Sequence, residues 1–227
     1  MKYGMLTVFC VLLAGGCQRD KLVQEPPRTG HFYVNPRGDF ATVGRVVLLE
    51  LDNQSNQPDL SETLTAALSD ELGKRHLFSI RKLMRSDPIW QALRLDGLSL
   101  QNLDELAALR QSLNVDAVML GTIQRYRPFP NLQVGLNVRL IDLRSGKLLW
   151  AIEDVWDSSD KAVEKRMQTF FKEQMRTGYE PMNWQILTTS PRAFDRFVAF
   201  EVAQTLPSLP KDNQPRTVEY RRRHLAP

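Results

Sequence analysis

Three histidines are the first residues to weigh for acid–base chemistry, and they stand far apart at His31, His76 and His224. A general base must lie within hydrogen-bond reach of the group it activates. No Gly-x-Ser-x-Gly, Walker A or Gly-x-Gly-x-x-Gly passage accompanies any of them. Asp52, Asp59, Asp142 and Asp154 are carboxylates that folding can gather, but isolated acids of this kind usually serve as caps, turns and solvated positions. Cysteine occurs at Cys10 and Cys17, and His, Cys, Asp and Glu form no cluster at zinc-ligand spacing. The expectation is a non-catalytic chain, without metal or cofactor.

Aromatic residues are better candidates, for contact rather than for catalysis. Trp150 and Trp156 lie an even number of residues apart on one strand, so they share a face. Either they form core beneath helices, or they meet a neighbouring protein at an open rim, Trp being enriched at contact centres. The passage Tyr126-Arg127-Pro128-Phe129-Pro130 is a hairpin loop. It reads as a simple turn, or as a rigid amphipathic tip with Tyr126 and Phe129 as contact residues.

These residues need a scaffold, and the periodicity supplies one. Val46–Leu51 is a short apolar run expected to be a buried strand. Asp59 and Glu62 have capping-box spacing ahead of Leu64, Leu68 and Leu72, which predicts an amphipathic helix. Phe78–Ile80 is a second short strand, Asp87-Pro88 opens a brief helix, and 103–113 is helical after a second capping box, Asn102 and Glu105. Asp116–Tyr126 is a strand. In 132–143, Leu132, Val134, Leu136, Val138 and Leu140 alternate with Gln133, Gly135, Asn137 and Arg139, the period of a strand with one buried face. Arg144–Lys147 turns into a partner strand, Leu148–Trp156, and helices follow over 161–175 and from Ser190-Pro191. The order predicts an α/β fold: a mixed β-sheet with a βαβ start and an antiparallel hairpin, helices packed on it.

Thirty Lys and Arg against 26 Asp and Glu leave a formal charge of +4, too mild for a nucleic-acid protein. Residues 1–16 have the form of a signal peptide: Lys2, an apolar run from Met5 to Ala14, then Gly15 and Gly16. Residues 17–44, rich in Pro, Gly and charge, read as a tether without strand or helix periodicity. A single domain is expected over 45–207, and a disordered basic tail over 208–227, where Arg221–Arg223 are either solvated or touch anionic headgroups.

Leu-Ala-Gly-Gly-Cys at 13–17 resembles the lipobox of bacterial lipoproteins. The resemblance implies diacylglyceryl transfer to Cys17 and cleavage ahead of it; the alternative is a plain signal peptide with an incidental Cys17. Gln18, rather than Asp, implies sorting to the outer membrane. Three further passages, Arg45–Asn56, Leu113–Thr122 and Leu136–Trp150, resemble the superfamily of bacterial envelope lipoproteins typified by CsgG, LpoB, PelC and the N-terminal domain of TolB. That implies a lipid-anchored, periplasm-facing adaptor in assembly, secretion or envelope maintenance, partnered by the membrane, by envelope proteins or by its own copies. A structural ring subunit of an export channel is the alternative, and a hydrolase of envelope polymers a distant third.

Overall fold

A computed structural model of the chain describes residues 31–38, 40–95, 103–175 and 183–207. Seven strands form one sheet among these residues: β1 (Phe32–Val34), β2 (Arg45–Leu49), β3 (Asp52–Asn53), β4 (Ser79–Leu83), β5 (Ala117–Arg127), β6 (Gln133–Asp142) and β7 (Leu148–Asp157). The spatial order is β1-β7-β6-β5-β2-β4, with β3 resuming the pairing of this chain segment with β5. Strand β2 runs parallel to both β4 and β5, whereas β5, β6, β7 and β1 pair antiparallel in turn. The sheet is mixed, and the fold is α/β as the element order predicts.

Helix α1 (Leu60–Gly73) makes the crossover from β2 to β4, and α2 (Pro88–Ala92) and α3 (Leu103–Leu113) lead to β5. After the β5–β7 meander come α4 (Lys161–Phe170), extended by a π-helical turn at Phe171–Met175, then α5 (Ile186–Thr189) and α6 (Pro191–Gln204). No helix of the described residues is long and apolar enough to cross a membrane.

Strand β2 reads as a continuous apolar run because both its faces are covered. Val46 and Leu48 face a large core with Leu64, Leu68 and Leu72 of α1 and with Phe194, Phe197 and Val198 of α6. Val47 and Leu49 face a second core with Trp90 of α2 and Leu106, Leu109 and Leu113 of α3. Strand β6 turns Val134, Leu136, Val138 and Leu140 into the large core; on its other face Gln133 and Gly135 are also buried, and Arg139 faces outward.

Two sequence expectations change here. Residues 31–44, read as the end of a tether, carry strand β1, where Phe32 and Val34 pack toward the large core while Tyr33 points out. Three residues are too few for periodicity to register amid Pro and Gly. The Asp59–Glu62 capping box does not form, because Asp59 already has near-helical torsions (φ −81°, ψ −4°) and its side chain caps nothing. Ser61 and Thr65 instead bind the backbone of Leu51: Thr65 Oγ1 accepts from the Leu51 N–H at 3.0 Å, and the Ser61 hydroxyl donates to the Leu51 carbonyl. Asn102 lies outside the described residues, so the second capping box is not placed.

Gly121 of β5 lies against β6 with no room for a side chain. A methyl group there would meet the Asn137 carbonyl oxygen, with Val138 Cγ2 at 3.0 Å and Leu51 Cδ2 at 3.1 Å. Gly121→Ala is expected to destabilise the domain by about 1–3 kcal/mol through overpacking. Urea unfolding read by Trp fluorescence measures it, and a wild-type midpoint would show that β5 and β6 can part freely.

Candidate functional site

Both Trp150 and Trp156 project to one face, but that face is interior. Each is 0% exposed, so the contact reading gives way to the core reading. Trp150 Nε1 donates to Thr205 Oγ1 at the end of α6, 3.2 Å away. Trp156 lies against Glu201 of α6, whose carboxylate also receives Arg166 Nε from α4 at 2.6 Å. Burial raises the Glu201 pKa, and Arg166 pulls only partly against it.

The loop after β5 carries Phe129, 81% exposed at its tip. Tyr126 is half-buried and packs at the edge of the large core. Its phenol is pushed up to about 12, first by burial and then by the neighbouring Asp195 carboxylate. The two aromatics proposed as one contact tip are therefore separated: Phe129 meets solvent, while Tyr126 lines a cleft of about 230 Å3 with Asp59, Leu60, Thr63, Arg192 and Asp195.

A larger cleft, about 790 Å3, adjoins it between α1 and α6 and shares Thr63, Arg192 and Asp195. Small side chains, Ala66 and Ala67, line it on the α1 side, with Glu62 and Asp70 at exposed positions. Across it, Glu71 Oε1 takes Lys74 Nζ at 2.5 Å and Arg196 Nε at 3.1 Å, tying α1 to α6. Asp195 is 5% exposed, and its Oδ1 has no hydrogen-bond partner among the described residues. Burial pushes its carboxyl up to about 7. Asp195 was not among the sequence candidates. The signal was present: it falls on the apolar stripe of α6, one residue after Phe194 and three before Val198, where a charge must have a reason.

The other acids do not converge. Asp52 pairs with Arg85 at 3.2 Å, Asp142 holds the turn before β7 through the Ser145 hydroxyl, and Asp154 lies 4.0 Å from His31. Among the described residues, no three His, Cys, Asp or Glu side chains could hold a metal ion. Cys17, His224 and Arg221–Arg223 lie outside the described residues.

Among the described residues, the sheet face away from the large core is open around Arg139 of β6 and Glu153 and Val155 of β7. Glu153 accepts from Gln124 Nε2 at 3.0 Å and from Asn137 Nδ2 at 2.9 Å, and Arg139 Nε donates to Asn137 Oδ1 at 3.2 Å. These hydrogen bonds, from Gln124 and then Asn137, hold the Glu153 pKa below its ordinary value. Tyr33 and Val155, 47% and 44% exposed, are the large apolar side chains most open to solvent near this network.

No family model matches the chain, and no curated protein matches it in sequence. Solved structures share a partial likeness of fold. The PelC dodecamer from Paraburkholderia phytofirmans is similar at 16% identity over 59% of this chain and 85% of that one, with a TM-score of 0.41. Lipoprotein GNA1162 from Neisseria meningitidis is similar at 17% identity over 60% and 98%, TM-score 0.39. Escherichia coli LpoB, solved by NMR, is similar at 13% identity over 69% and 84%, TM-score 0.38.

Proposed function

We propose that this protein is a lipid-anchored, periplasm-facing adaptor of the bacterial cell envelope, sorted to the outer membrane. The passage Met1–Cys17 carries the reading: a basic start, an apolar run and two small residues ahead of a cysteine fit export, cleavage and acylation at Cys17. Two acyl chains on one residue suffice for stable anchoring, at about 0.8 kcal/mol per buried CH₂. The mechanism is positional rather than catalytic. Anchoring confines the α/β domain to a thin layer, where weak contacts act at high effective concentration. The exposed Phe129 tip and the stretch of β6 and β7 that is open among the described residues, with Tyr33 and Val155 exposed and a polar network at Glu153, offer surfaces for an envelope protein or a second copy.

The test is native mass spectrometry of protein extracted from membranes in mild detergent. A chain beginning at Cys17 with added acyl mass is expected, and Cys17→Ala is expected to lose both the mass and membrane retention. An unacylated wild-type chain in the soluble fraction would overturn the anchor. Co-purification of a second protein supports the adaptor, whereas a ring of many copies would replace it with a structural channel subunit.

A further inference from the structure

We propose that the cleft between α1 and α6 is a binding site for an alkylammonium group, with Asp195 as the carboxylate that receives it. The inference does not depend on the lipid anchor. Its first support is geometric: a side chain 95% removed from solvent lines both adjoining clefts and leaves Oδ1 without a hydrogen-bond partner among the described residues. Buried acceptors are normally satisfied, so an unsatisfied one on a side chain that lines two clefts is a place where a ligand's N–H fits.

Charge and shape narrow the ligand. The chain as a whole is basic, at +4, yet residues lining the two clefts include five carboxylates against three Lys and Arg. Glu71 pairs with Lys74 and Arg196, and of the remaining charges four carboxylates, Asp59, Glu62, Asp70 and Asp195, stand against Arg192, which lines both clefts. A cation is favoured over a neutral donor. A bare metal ion is not, since three carboxylates or imidazoles do not converge among the described residues. A guanidinium binds best with both carboxylate oxygens in one plane, whereas an ammonium is a compact donor that can serve a single oxygen. Ala66 and Ala67 leave space for the alkyl stem to reach in from the rim, and a volume near 790 Å3 lies within the range of small-molecule sites.

The experiment titrates the full chain, in detergent at pH 8, with three probes by calorimetry: cadaverine, its uncharged diol analogue, and lysine capped at both termini. Cadaverine or capped lysine is expected to bind with a dissociation constant of about 1 mM or lower, at least about tenfold tighter than the diol. Asp195→Asn is expected to weaken that binding by about tenfold or more, consistent with loss of a charge-assisted hydrogen bond. Ala66→Met, which fills the cleft and keeps Asp195, is expected to weaken it as well. Thermal melts establish that both variants fold. If cadaverine binds and capped lysine does not, the ammonium belongs to a free amine. If capped lysine binds at least as well, it belongs to a polypeptide side chain. Equal binding of diol and amine, binding unchanged by Asp195→Asn, or no binding by either amine at about 10 mM overturns the site.

Discussion

Arg166→Met is expected to cost the folded domain about 3–5 kcal/mol at pH 8, more than any other single change considered. Arg166 and Glu201 form a tight pair between α4 and α6, Nε to Oε2 at 2.6 Å, and their side chains are 12% and 11% exposed. Phe170 and Met167 on one helix and Phe197 and Val198 on the other surround the region with core. A pair in such a place adds little net stability, because desolvation offsets its attraction. Removing one member is different. Glu201 would keep the burial that already raises its pKa and lose the guanidinium that opposes it. The penalty should depend on pH with a definite sign. Above the raised pKa the carboxylate is buried and unpaired; below it the proton neutralises the charge, so the difference from wild type shrinks as pH falls. The double variant Arg166→Met with Glu201→Leu removes the stranded charge and is expected to regain most of the loss. Urea unfolding at pH 5 and pH 8, followed through buried Trp150 and Trp156, checks both statements. A loss below about 1 kcal/mol at pH 8 would show that water reaches this pair and screens it.

That pair was invisible in the sequence, and the reason is instructive. What the chain displays openly is periodicity, and periodicity reports which faces are covered. The run Val46–Leu49 is covered on both faces, and the alternation Val134–Leu140 turns its apolar residues into the large core and Arg139 to solvent. The three passages that carry the family resemblance also find a physical account, because they meet at one carboxylate. Asp116 Oδ2 accepts from the backbone N–H groups of Gly44 and Arg45 at 3.1 and 3.0 Å, and Oδ1 accepts from Arg144 at 3.0 Å. Burial disfavours the charge, but the Arg144 hydrogen bond and the two backbone donors outweigh it and hold the pKa below its ordinary value. Asp116 thus staples the starts of β2 and β5 to the β6–β7 turn. It specifies the fold and says little about a ligand.

Side-chain chemistry between distant elements is written in no local pattern. Arg166 and Glu201 are 35 positions apart, and Asp195 reaches Tyr126 and Thr63 only because α6 packs on α1 beside the end of β5. Reading each helix as a wheel would have marked Asp195 and Glu201 as charges among Phe and Val; searching for catalytic spacing passed over them. Trp150 and Trp156 show the converse. Their shared face was legible, but whether that face met solvent depended on α4 and α6, and both helices cover it.

Asp195→Asn is expected to stabilise the protein at pH 8 and to leave it unchanged near pH 4. The folded-state pKa of Asp195 is about 7, against an ordinary value of 3.8. Between those values the native state holds a proton that the unfolded chain has released, so wild-type stability falls as pH rises through this window. Three units at 1.36 kcal/mol each set a ceiling of about 4 kcal/mol, and partial access of water to the cleft lowers the expected gain to about 2 kcal/mol. Asn has the same shape and no charge to desolvate, so the variant should lack this slope. Asp116 and Asp157 have lowered pKa values, and the stability they add is lost at the acid end, below the window. Glu201, with a raised pKa, contributes a slope of the same sign as Asp195, but equally in both proteins. Subtracting the two pH profiles therefore isolates Asp195. A carboxylate that weakens its own fold at neutral pH is strained in the sense that a binding partner relieves. An amine in the cleft should flatten the wild-type profile and leave that of the Asn variant unmoved. If Asp195→Asn instead destabilises the protein at pH 8, the carboxylate already has a partner in solution and the cleft holds no vacant acceptor.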